Sequence, residues 1–583
     1  MSRHQDSSQM KQLLQPDDNT ESSATETHER ERDHDTRGGS SSSSSCADAV
    51  SRGQTERDES PRTQRGDGTS SCCPLEDLKR LPECTNRLGP LTFSRTHTVL
   101  IDVDAFSHGP GLLPMEGKDN WSSKFVKMPC SPSSFMTVQT GIFKQATKMR
   151  RWEVISKHLS RLAKKESVTV DDVEEAILKY NPKYKGQWSF DALSTFVKCI
   201  PKAENYFSTL FPKIAELALK LPECVKKAIP LLQNGQPAII TLSQAQIACL
   251  LANAFFCTFP HRNTTAANAE YGNCPTINFT SLFQNWSDRK KEKLRAIMHY
   301  FKVATDEIAK LNGLVTFERR CLRDTDASNW RSCEETLNKL HVTSHGAIET
   351  EGIGLLQVDF ASSRIGGGVL GNGLVQEEIL FLINPELIVA RLFTEKLKDD
   401  ECLIITGSQQ FSCYSGFRDN FEWAGPHEDH LQRDEWARRQ RQILAIDALH
   451  FKHRREQYNV RKVTRELNKA YCGFKGHGNN EPDIATGKWG CGAFNGDPQL
   501  KAVIQLMAAA KAKRGLAFFT FKDEHLKQGL QQIHHLLVTG GTTVGKLYEL
   551  LEDFCQVQHT SSGSHGDLFE FIRNRIRSSR SQL

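Results

Sequence analysis

The chain of 583 residues has no apolar run of about 18 residues, the length that a membrane-spanning helix needs. The best candidate, Ile247 to Phe259, is too short and contains Asn253, so we interpret it as a buried helix of a protein core. The chain has 17 cysteines but no Cys-x-x-Cys pair, and its start lacks the apolar segment of a secretory signal. These absences exclude a membrane span and predict reduced thiols and no secretory signal.

Apolar residues are scarce at the beginning of the chain. Hydrophobic residues make up 38% of the whole sequence, and residues 1–71, rich in Ser, Asp, Glu, Arg and Thr, show almost no apolar periodicity. Such a segment cannot bury enough apolar surface to offset the entropy that it would lose on ordering. We therefore predict a disordered arm over residues 1–85. The net charge of +5 is too small to make the whole chain a polycation.

The parts that follow the predicted arm differ in their hydrophobic patterns. Over residues 86–312 most segments show helical spacing, which predicts a mainly helical accessory domain. Over residues 313–560 short apolar runs alternate with helices, which predicts an α/β domain with a mostly buried sheet. Residues 561–583 are predicted to be a flexible tail. The predicted strands of the α/β part are 340–342, 355–360, 402–406, 444–448 and 516–521, and its predicted helices include 377–383, 385–397 and 500–513.

Three consecutive glycines are the most informative local feature. Gly366, Gly367 and Gly368 follow a predicted strand that contains Asp359, and after seven residues they are followed by a helix that begins near Gln376-Glu377-Glu378. Glycines allow the backbone to turn sharply and to approach a ligand closely. The N–H groups at a helix N-terminus favour phosphate, and ligands of α/β sheets bind near the carboxyl ends of strands. The pattern therefore predicts a phosphate-binding loop with two carboxylates beside it.

The two adjacent glutamates point about 100° apart on a helix, so they cannot perform the same task. One could accept sugar hydroxyls while the other faces the bond that is broken. A carboxyl that acts as a general acid must hold its proton near neutral pH, and a nearby diphosphate favours this by like-charge repulsion. An ordinary helix N-terminus would also favour Glu. The triple glycine and the preceding strand make chemistry beside a phosphate the better interpretation.

Other segments carry weaker signals. The run from Lys488 to Phe494 could supply a second phosphate-facing loop, but a tight turn that packs Trp489 into the core explains it equally well. Phe521, at the end of a predicted strand, could stack on a base, although aromatic residues of strands are usually core residues. The run from His427 to His430 has metal-ligand residue types, but no further ligand spacing supports a zinc site. We therefore predict no metal.

At this point the motif can be compared with a known family. Three glycines, a spacer and Gln-Glu-Glu resemble the signature of the poly(ADP-ribose) glycohydrolases, and the surrounding sequence resembles the animal enzymes of this family. The likeness runs from about Thr98 to Tyr548. It is strongest over residues 356–360, 373–378, 381–387, 401–407 and 489–494.

The resemblance implies a macrodomain-like three-layer α/β/α core with a mixed sheet, and an N-terminal helical accessory domain. It implies hydrolysis of the ribose–ribose O-glycosidic bonds of poly(ADP-ribose), mainly from chain ends, with release of ADP-ribose. Glu378 would be the acid/base, Glu377 would hold hydroxyls of the leaving ribose, and Asp359 would be a further acid that supports the loop. The other residues to which it assigns ligand contacts are Ile348, Glu349, Gly366, Gly367, Gly368, Gln376, Lys488, Trp489, Gly490, Cys491, Gly492, Ala493 and Phe521.

Two positions depart from the family pattern. Ser362 stands where the family usually has Asn, and Phe417 stands where it usually has Tyr. The second change removes a hydroxyl that would reach the ligand, and the loss of one such hydrogen bond costs about 1 kcal/mol. Because Glu377 and Glu378 are retained, we expect activity to be retained as well.

Two alternatives remain open at the level of sequence. The chain could bind poly(ADP-ribose) without efficient catalysis, or it could be a nucleotide-phosphate hydrolase that needs a divalent metal. The resemblance implies no cofactor, and a partner in the form of poly(ADP-ribose) on modified proteins, with no direct contact to nucleic acid or membrane. It also implies a nuclear location, which a short isoform could exchange for the cytoplasm. We expect a monomer.

Overall fold

The computed structural model describes residues 72–580 except 85–87, 110, 141–144, 265, 267, 310, 324–328, 479 and 561–565. The predicted disordered arm lies outside the described residues as far as residue 71. The described residues all belong to one compact unit. Within them, no helix is both long enough and apolar enough to cross a membrane.

A large mixed sheet forms the centre of the described part. Nine strands make this sheet, and two hairpins, β2–β3 and β9–β10, stand apart from it. The strands are β1 His97–Val99, β2 Phe135–Thr140, β3 Gln145–Arg150, β4 Ala238–Ser243, β5 Leu314–Cys321, β6 Leu340–Thr343, β7 Leu356–Ala361, β8 Glu401–Thr406, β9 Ser412–Ser415, β10 Glu422–Pro426, β11 Gln442–Asp447, β12 Ile484–Gly487 and β13 Leu516–Phe519.

The strand order across the sheet is β1-β4-β5-β8-β11-β7-β12-β13-β6. From β11 to β6 the neighbouring strands are all parallel, whereas β5 and β8 run antiparallel to their neighbours. The five strands predicted in the α/β part all exist as β6, β7, β8, β11 and β13, with ends shifted by one or two residues. The expectation of a mixed sheet is confirmed.

Helices cover both faces of the sheet. Those of the N-terminal half are α1 Val103–His108, α2 Arg151–Ala163, α3 Val170–Tyr180, α4 Asp191–Cys199, α5 Phe207–Leu219, α6 Leu221–Cys224, α7 Gln244–Phe255, α8 Thr280–Phe283 and α9 Asp288–Ala304. Those of the C-terminal half are α10 Ile348–Glu351, α11 Gln376–Ile383, α12 Ala390–Phe393, α13 Val460–Phe474, α14 Pro498–Lys511, α15 Glu524–Thr539, α16 Val544–Thr560 and α17 Leu568–Arg580.

Side-chain alternation along the strands builds two separate cores. In β8, Leu403 and Ile405 pack with the helices of the N-terminal half and with α11. Cys402 and Ile404, on the opposite face, pack with α13, α14 and the C-terminal helices. Because a strand that is buried on both faces needs apolar side chains on both of them, the interior of β8, residues 402–405, is a continuous apolar run. The architecture is the three-layer fold with a helical part that the sequence predicted.

Local sequence explains where the main helices begin. The side chain of Ser243 accepts a hydrogen bond from the Gln246 amide at the start of α7, and the side chain of Asp497 caps α14, whose first residue is Pro498. Such caps satisfy amides that have no partner inside the helix. Ile247 to Phe259, which we interpreted as a buried helix, corresponds to α7 and the turn after it, and every residue of the run is buried.

The predicted helix over 385–397 is only partly correct. Residues Pro385–Val389 form a 3-10 turn, and α12 ends at Phe393. After Phe393 the backbone amides of residues 395, 396 and 397 donate to the carbonyls of residues 232, 273 and 363 instead of continuing the helix. These tertiary partners override the helical spacing.

Both ends of the described part are more ordered than predicted. Residues 72–84, which were assigned to the disordered arm, pack against the sheet: Leu78 is buried, and the Cys73 amide donates to the Leu340 carbonyl (2.9 Å). The flexible-tail prediction is wrong for 568–580, which form α17. Leu568 and Ile572 lie on one face of α17 and are buried against α14, α15 and α16.

The boundary predicted between residues 312 and 313 separates two neighbouring strands of the sheet. β4, from the mainly helical part, pairs with β5 over six residues, and β1 pairs with β4. The helical part therefore contributes two strands to the sheet that carries the site.

A buried ion pair ties β5 to β8. Arg319 and Glu401 are both fully buried, and the guanidinium of Arg319 bonds the carboxylate of Glu401. Burial alone would raise the pKa of Glu401, but the hydrogen bond and the charge of Arg319 hold it below its ordinary value. This contribution to stability is therefore present above the ordinary pKa of Glu and is lost as the pH falls through the lower, folded-state value.

We expect Glu401→Gln to lower the free energy of unfolding at pH 7 by about 3 kcal/mol, because it leaves a buried guanidinium without its partner charge. Urea unfolding at pH 7 measures this free energy. The difference in the free energy of unfolding between wild type and Glu401→Gln should become smaller as the pH is lowered. The control is Glu175→Gln in the exposed pair with Lys179, where we expect a loss of about 0.3–0.5 kcal/mol. Equal losses in the two variants would contradict the prediction.

Candidate active site

The carboxyl ends of four parallel strands meet at one edge of the sheet. β7, β12, β13 and β6 are consecutive neighbours, so the segments that follow them lie side by side. These segments contain nearly all of the residues predicted to form the site. They are the glycine loop after β7, the run 488–493 after β12, Phe521 after β13, and Ile348 and Glu349 after β6.

The first residue of α11 fastens the helix to the end of β7. The side-chain oxygen of Gln376 accepts a hydrogen bond from the Phe360 amide (2.8 Å), and its nitrogen donates to the Val358 carbonyl (3.1 Å). Gln376 thus completes the strand's hydrogen bonding at the point where the chain leaves the sheet. The resemblance implies that Gln376 orders the glycine loop and touches the ligand, and both roles stay predictions.

The two glutamates that follow each hold a different part of the glycine loop. Glu377 accepts hydrogen bonds from the amides of Ser362 (2.8 Å) and Gly366 (2.6 Å). Glu378 accepts from the amides of Gly368 (2.8 Å) and Val375 (2.9 Å). Both side chains are almost fully buried. The amides of Gly366 and Gly368, predicted to face a phosphate, are therefore bonded to the two carboxylates in this structure.

Gly367 lies where the loop comes closest to these carboxylates. Its φ of +43° belongs to the left-handed region. A Cβ at this position would stand 2.5 Å from Oε1 of Glu378 and 2.7 Å from Oε2 of Glu377. Only glycine can occupy this position without displacing a carboxylate.

Asp359 lies on β7 and is fully buried. Within the described residues neither of its carboxyl oxygens has a hydrogen-bond partner. The prediction that Asp359 supports the glycine loop is therefore wrong as far as hydrogen bonds are concerned, because Gln376, Glu377 and Glu378 do this instead. An unpartnered buried carboxyl is costly unless it holds a proton or meets a ligand.

The carboxyls influence one another electrostatically. Burial raises the pKa of Asp359 well above its ordinary value, and the charge of Glu378 raises it further. Burial also raises the pKa of Glu377, with added repulsion from Asp359 and Glu378 and an opposing effect of the two amides that it accepts. Protonation of Asp359 and Glu377 is therefore easier than protonation of isolated carboxyls, and proton transfer to a leaving group requires a protonated group.

The glycine-rich run after β12 serves as a tight turn and also lies at the site edge. Trp489 is fully buried and donates to the Ile446 carbonyl (3.0 Å), so one of the two interpretations, a turn anchored in the core, is confirmed. Gly492 and Ala493 are exposed beyond this anchor. Lys488 lies 3.5 Å from the carboxylate of Asp523. Gly490 and Cys491 lie between Trp489 and Gly492 in the same run. Whether this run contacts phosphate stays a prediction.

Phe521 does not lie on a strand, because β13 ends at Phe519. Its φ is +50°, a conformation that bulky residues rarely adopt. Unlike Phe518 and Phe519, which are buried in the core, Phe521 is 38% exposed, and its ring lies against Gly487 at the end of β12. An exposed ring held in a strained backbone at the site edge fits the predicted stacking role.

The segment after β6 is joined to the β9–β10 hairpin. Ile348 is buried in a small apolar cluster, while the carboxylate of Glu349 accepts a hydrogen bond from the hydroxyl of Tyr414. Tyr414 lies in β9, three residues before Phe417. Phe417 is 48% exposed near the turn of this hairpin. This hydrogen bond thus links Glu349, which is predicted to contact the ligand, to the hairpin that carries Phe417.

Sequence reasoning missed two buried cations behind the glycine loop. Lys293 of α9 donates to the carbonyls of Gly368 and Gly371, and Arg391 of α12 donates to those of Ile365 and Gly367. Lys293 lies among charged residues and looked like a surface lysine. Arg391 offered a usable signal, because it is a lone charge in an otherwise apolar run.

Within the described residues, no group of three or more His, Cys, Asp or Glu side chains could hold a metal ion. His430 lies 3.7 Å from Glu428, and both are exposed.

Models of known families match two parts of the chain. A model described as poly(ADP-ribose) glycohydrolase (PARG), macro domain fold, matches residues 327–528. A second model of the same family, described as its helical domain, matches residues 201–319. Together they cover the strands from β4 to β13, apart from the last two residues of β5, and the helices from α5 to α9.

Similar curated proteins come from plants and animals. Poly(ADP-ribose) glycohydrolase 1 of Arabidopsis thaliana is 32% identical over 440 residues, which cover 60% of this chain and 79% of that protein. Probable poly(ADP-ribose) glycohydrolase 2 of Arabidopsis thaliana is 28% identical over 502 residues, 74% of this chain and 92% of that protein. Poly(ADP-ribose) glycohydrolase 1 of Caenorhabditis elegans is 32% identical over 401 residues, 63% of this chain and 48% of that protein.

Proposed function

The chain belongs to the poly(ADP-ribose) glycohydrolases, glycosidases that act on poly(ADP-ribose), and on this premise we propose that Glu378 is the acid/base that cleaves the ribose–ribose O-glycosidic bond. The observation that carries the proposal is the pair of hydrogen bonds by which Gly368 and Val375 hold the Glu378 carboxylate beside the glycine loop. A fixed carboxyl next to a phosphate-type loop can reach the sugar that carries the phosphate.

The proposed reaction needs two proton transfers, both through the carboxyl group of Glu378. The carboxyl of Glu378 gives its proton to the glycosidic oxygen, and the bond from this oxygen to the anomeric carbon breaks, leaving an oxocarbenium-like centre. The Glu378 carboxylate then takes a proton from water as the water oxygen bonds to the anomeric carbon. The products are free ADP-ribose and a shortened polymer, and the carboxyl is protonated again.

Glu377 is proposed to hold hydroxyls of the leaving ribose. Its two oxygens each accept one amide, and because a carboxylate oxygen can accept two hydrogen bonds, each can still take a hydroxyl. Asp359 carries no hydrogen bond from the described part of the chain, which supports a role in proton balance rather than in fixing the loop. Ile348, Glu349 and Phe521 are proposed to contact the adenine-bearing end.

Release of ADP-ribose from purified poly(ADP-ribose) tests this function, and the assay is run once in EDTA and once with added magnesium. We expect equal release in both, because no step of the proposal uses a metal. Tight polymer binding without release would contradict the proposal and would favour a protein that only binds the polymer. Release that EDTA abolishes would favour a metal-dependent hydrolase.

We expect Phe417→Tyr to raise kcat/KM by up to about fivefold, the equivalent of one hydrogen bond of about 1 kcal/mol. Phe417 is 48% exposed near the hairpin turn, so an added hydroxyl has room, and the resemblance implies that this hydroxyl would reach the ligand. Steady-state kinetics on poly(ADP-ribose) measures the change. The control is Phe135→Tyr on β2, another exposed ring, which should leave kcat/KM unaltered. A kcat/KM that does not rise at 417 would show that the missing hydroxyl is not used.

A nuclear location and a monomeric state remain proposals that rest on the resemblance. Fractionation of cells that express the full chain tests the first, and light scattering of the purified protein tests the second.

A further inference from the structure

α9 runs behind the glycine loop and supports it through a buried lysine. Lys293 has no exposed surface, and its ammonium donates to the carbonyls of Gly368 (2.9 Å), Gly371 (2.8 Å) and Val369 (3.3 Å). An ammonium has three donors, so all three are directed at one short loop. The acceptors are neutral carbonyls, which makes this an unusual place to bury a charge.

Gly368 connects this lysine directly to the proposed acid/base. Its carbonyl accepts from Lys293, and its amide donates to Glu378 (2.8 Å). The ammonium, a single glycine and the reacting carboxylate therefore form one continuous chain of contacts. A change at Lys293 reaches Glu378 through the backbone of one residue.

Arg391 holds the preceding peptide units from the same side. It donates to the carbonyls of Ile365 (2.8 Å) and Gly367 (3.0 Å). In a planar trans peptide the carbonyl and the next amide point in opposite directions. With those carbonyls turned towards Arg391, the amides of Gly366 and Gly368 point at Glu377 and Glu378. Two buried cations thus set which way the loop's peptides face.

The same helix supports the other wall of the site. Glu292, next to Lys293, accepts from the Trp423 amide of the β9–β10 hairpin (2.9 Å), and His299 contacts the Phe411 carbonyl (3.0 Å). Arg289 donates to the Asn372 carbonyl at the far end of the glycine loop (3.1 Å). α9 is therefore a common support for the loop and for the hairpin.

We propose that Lys293 is a positioning residue whose charged ammonium holds the glycine loop in the shape in which Gly368 fixes Glu378, and that loss of this proton loosens the loop. The proposal rests on the proposed role of Glu378 and deepens it. Lys293 does not touch the reacting atoms and acts only through Gly368.

Of the two cations behind the glycine loop, Lys293 is the one whose charge changes near neutral pH. Burial is the main reason why the pKa of Lys293 is lowered to about 7. The negative charge of Glu378 raises this pKa, and the positive charges of Lys290, Arg289 and Arg391 lower it further. Burial lowers the pKa of Arg391 only to about 10, so this guanidinium keeps its charge. The ammonium form of Lys293 is therefore present below about pH 7 and is lost above it.

The test is the pH dependence of ADP-ribose release by the full chain, measured for wild type, Lys293→Arg and Lys293→Met. For wild type we expect kcat/KM, which reports the free enzyme, to fall as the pH rises above about 7. In Lys293→Arg the fall should move to higher pH, because a guanidinium keeps its proton. In Lys293→Met kcat should fall about 100-fold, as for a catalytic group that is displaced by about 1 Å.

The matched control is Lys302→Met, at an exposed lysine of the same helix, which should keep the wild-type rate and profile. Wild-type kcat/KM that stays flat from pH 7 to 9, a Lys293→Arg profile that does not move, or a folded Lys293→Met with wild-type kcat would each overturn the proposal. If Lys293→Met does not fold, as judged by circular dichroism, the pH profiles of kcat/KM for wild type and Lys293→Arg decide whether the proposal holds.

Calorimetric titration with ADP-ribose separates this inference from the proposed function. If wild type binds ADP-ribose but releases none from polymer, the proposed function has failed. The inference about Lys293 is then judged by ADP-ribose affinity, which should weaken above about pH 7 in wild type but not in Lys293→Arg. Affinity with no such pH dependence in wild type would overturn it.

Discussion

Glu378→Gln is expected to lower kcat for ADP-ribose release by about 1,000-fold, because a positioned general acid/base contributes about 10²–10⁴ to the rate and an amide cannot replace it. The substitution keeps the shape of the side chain and its burial in the first turn of α11. It leaves the polymer-binding surface in place, so ADP-ribose affinity should change little. Single-turnover kinetics with purified polymer, together with calorimetric titration of ADP-ribose, measures both quantities.

The substitution also removes one hydrogen-bond acceptor, since Glu378 accepts amides at both of its oxygens. Glu377→Gln is the matched control, because Glu377 likewise accepts two loop amides and the change removes one acceptor there too. We expect its kcat to lie well above that of Glu378→Gln. Equal rates in the two variants would mean that loop geometry, and not proton transfer by Glu378, limits the reaction.

Gly367→Ala is expected to lower kcat by about 100-fold, since displacement of catalytic groups by about 1 Å has an effect of this size. The new methyl group would stand 2.5 Å from Glu378 Oε1 and 2.7 Å from Glu377 Oε2, so both carboxylates would have to move. The left-handed backbone adds a cost of about 1–2 kcal/mol to stability for any residue with a Cβ. Steady-state kinetics and urea unfolding measure the two effects.

Gly371→Ala is the control within the same loop. A Cβ at residue 371 would meet its nearest neighbour, the Gly368 carbonyl, at 3.7 Å, an ordinary contact distance. We expect kcat and stability close to those of wild type. If Gly367→Ala also kept its rate, the carboxylates would not need the close approach of the loop, and the site geometry described above would not govern catalysis.

The sequence predicted the strands that are buried on both faces, because such strands are continuous apolar runs. β8 and β11 are examples, and both were found within two residues of their true ends. β12 was missed because it has only four residues, of which three are small or polar, and its pairing with β7 and β13 rather than its own pattern makes it a strand. β4 was missed because the helical spacing around it dominated the interpretation of residues 86–312.

The candidate site was predicted as a set of residues but not as an arrangement. The three glycines and Gln376-Glu377-Glu378 are adjacent in sequence, so their meeting at the end of β7 follows from local pattern. Phe521 and Glu349 were assigned through the family resemblance. Their position beside the loop depends on the strand order β7-β12-β13-β6, in which the pairings of β7 with β12 and of β13 with β6 join residues more than a hundred positions apart.

What the sequence determined by itself, therefore, is the family, through the resemblance of its Gly-Gly-Gly and Gln-Glu-Glu motif, and the apolar strands, because hydrophobic periodicity is a property of short segments. Only the tertiary structure decided that the loop amides bond the two glutamates, that Asp359 is buried with no hydrogen bond from the described residues, and that Lys293 is a core residue. Whether a charged side chain is buried, and which groups satisfy it, depends on elements brought together from distant parts of the chain. That information is not contained in any local pattern.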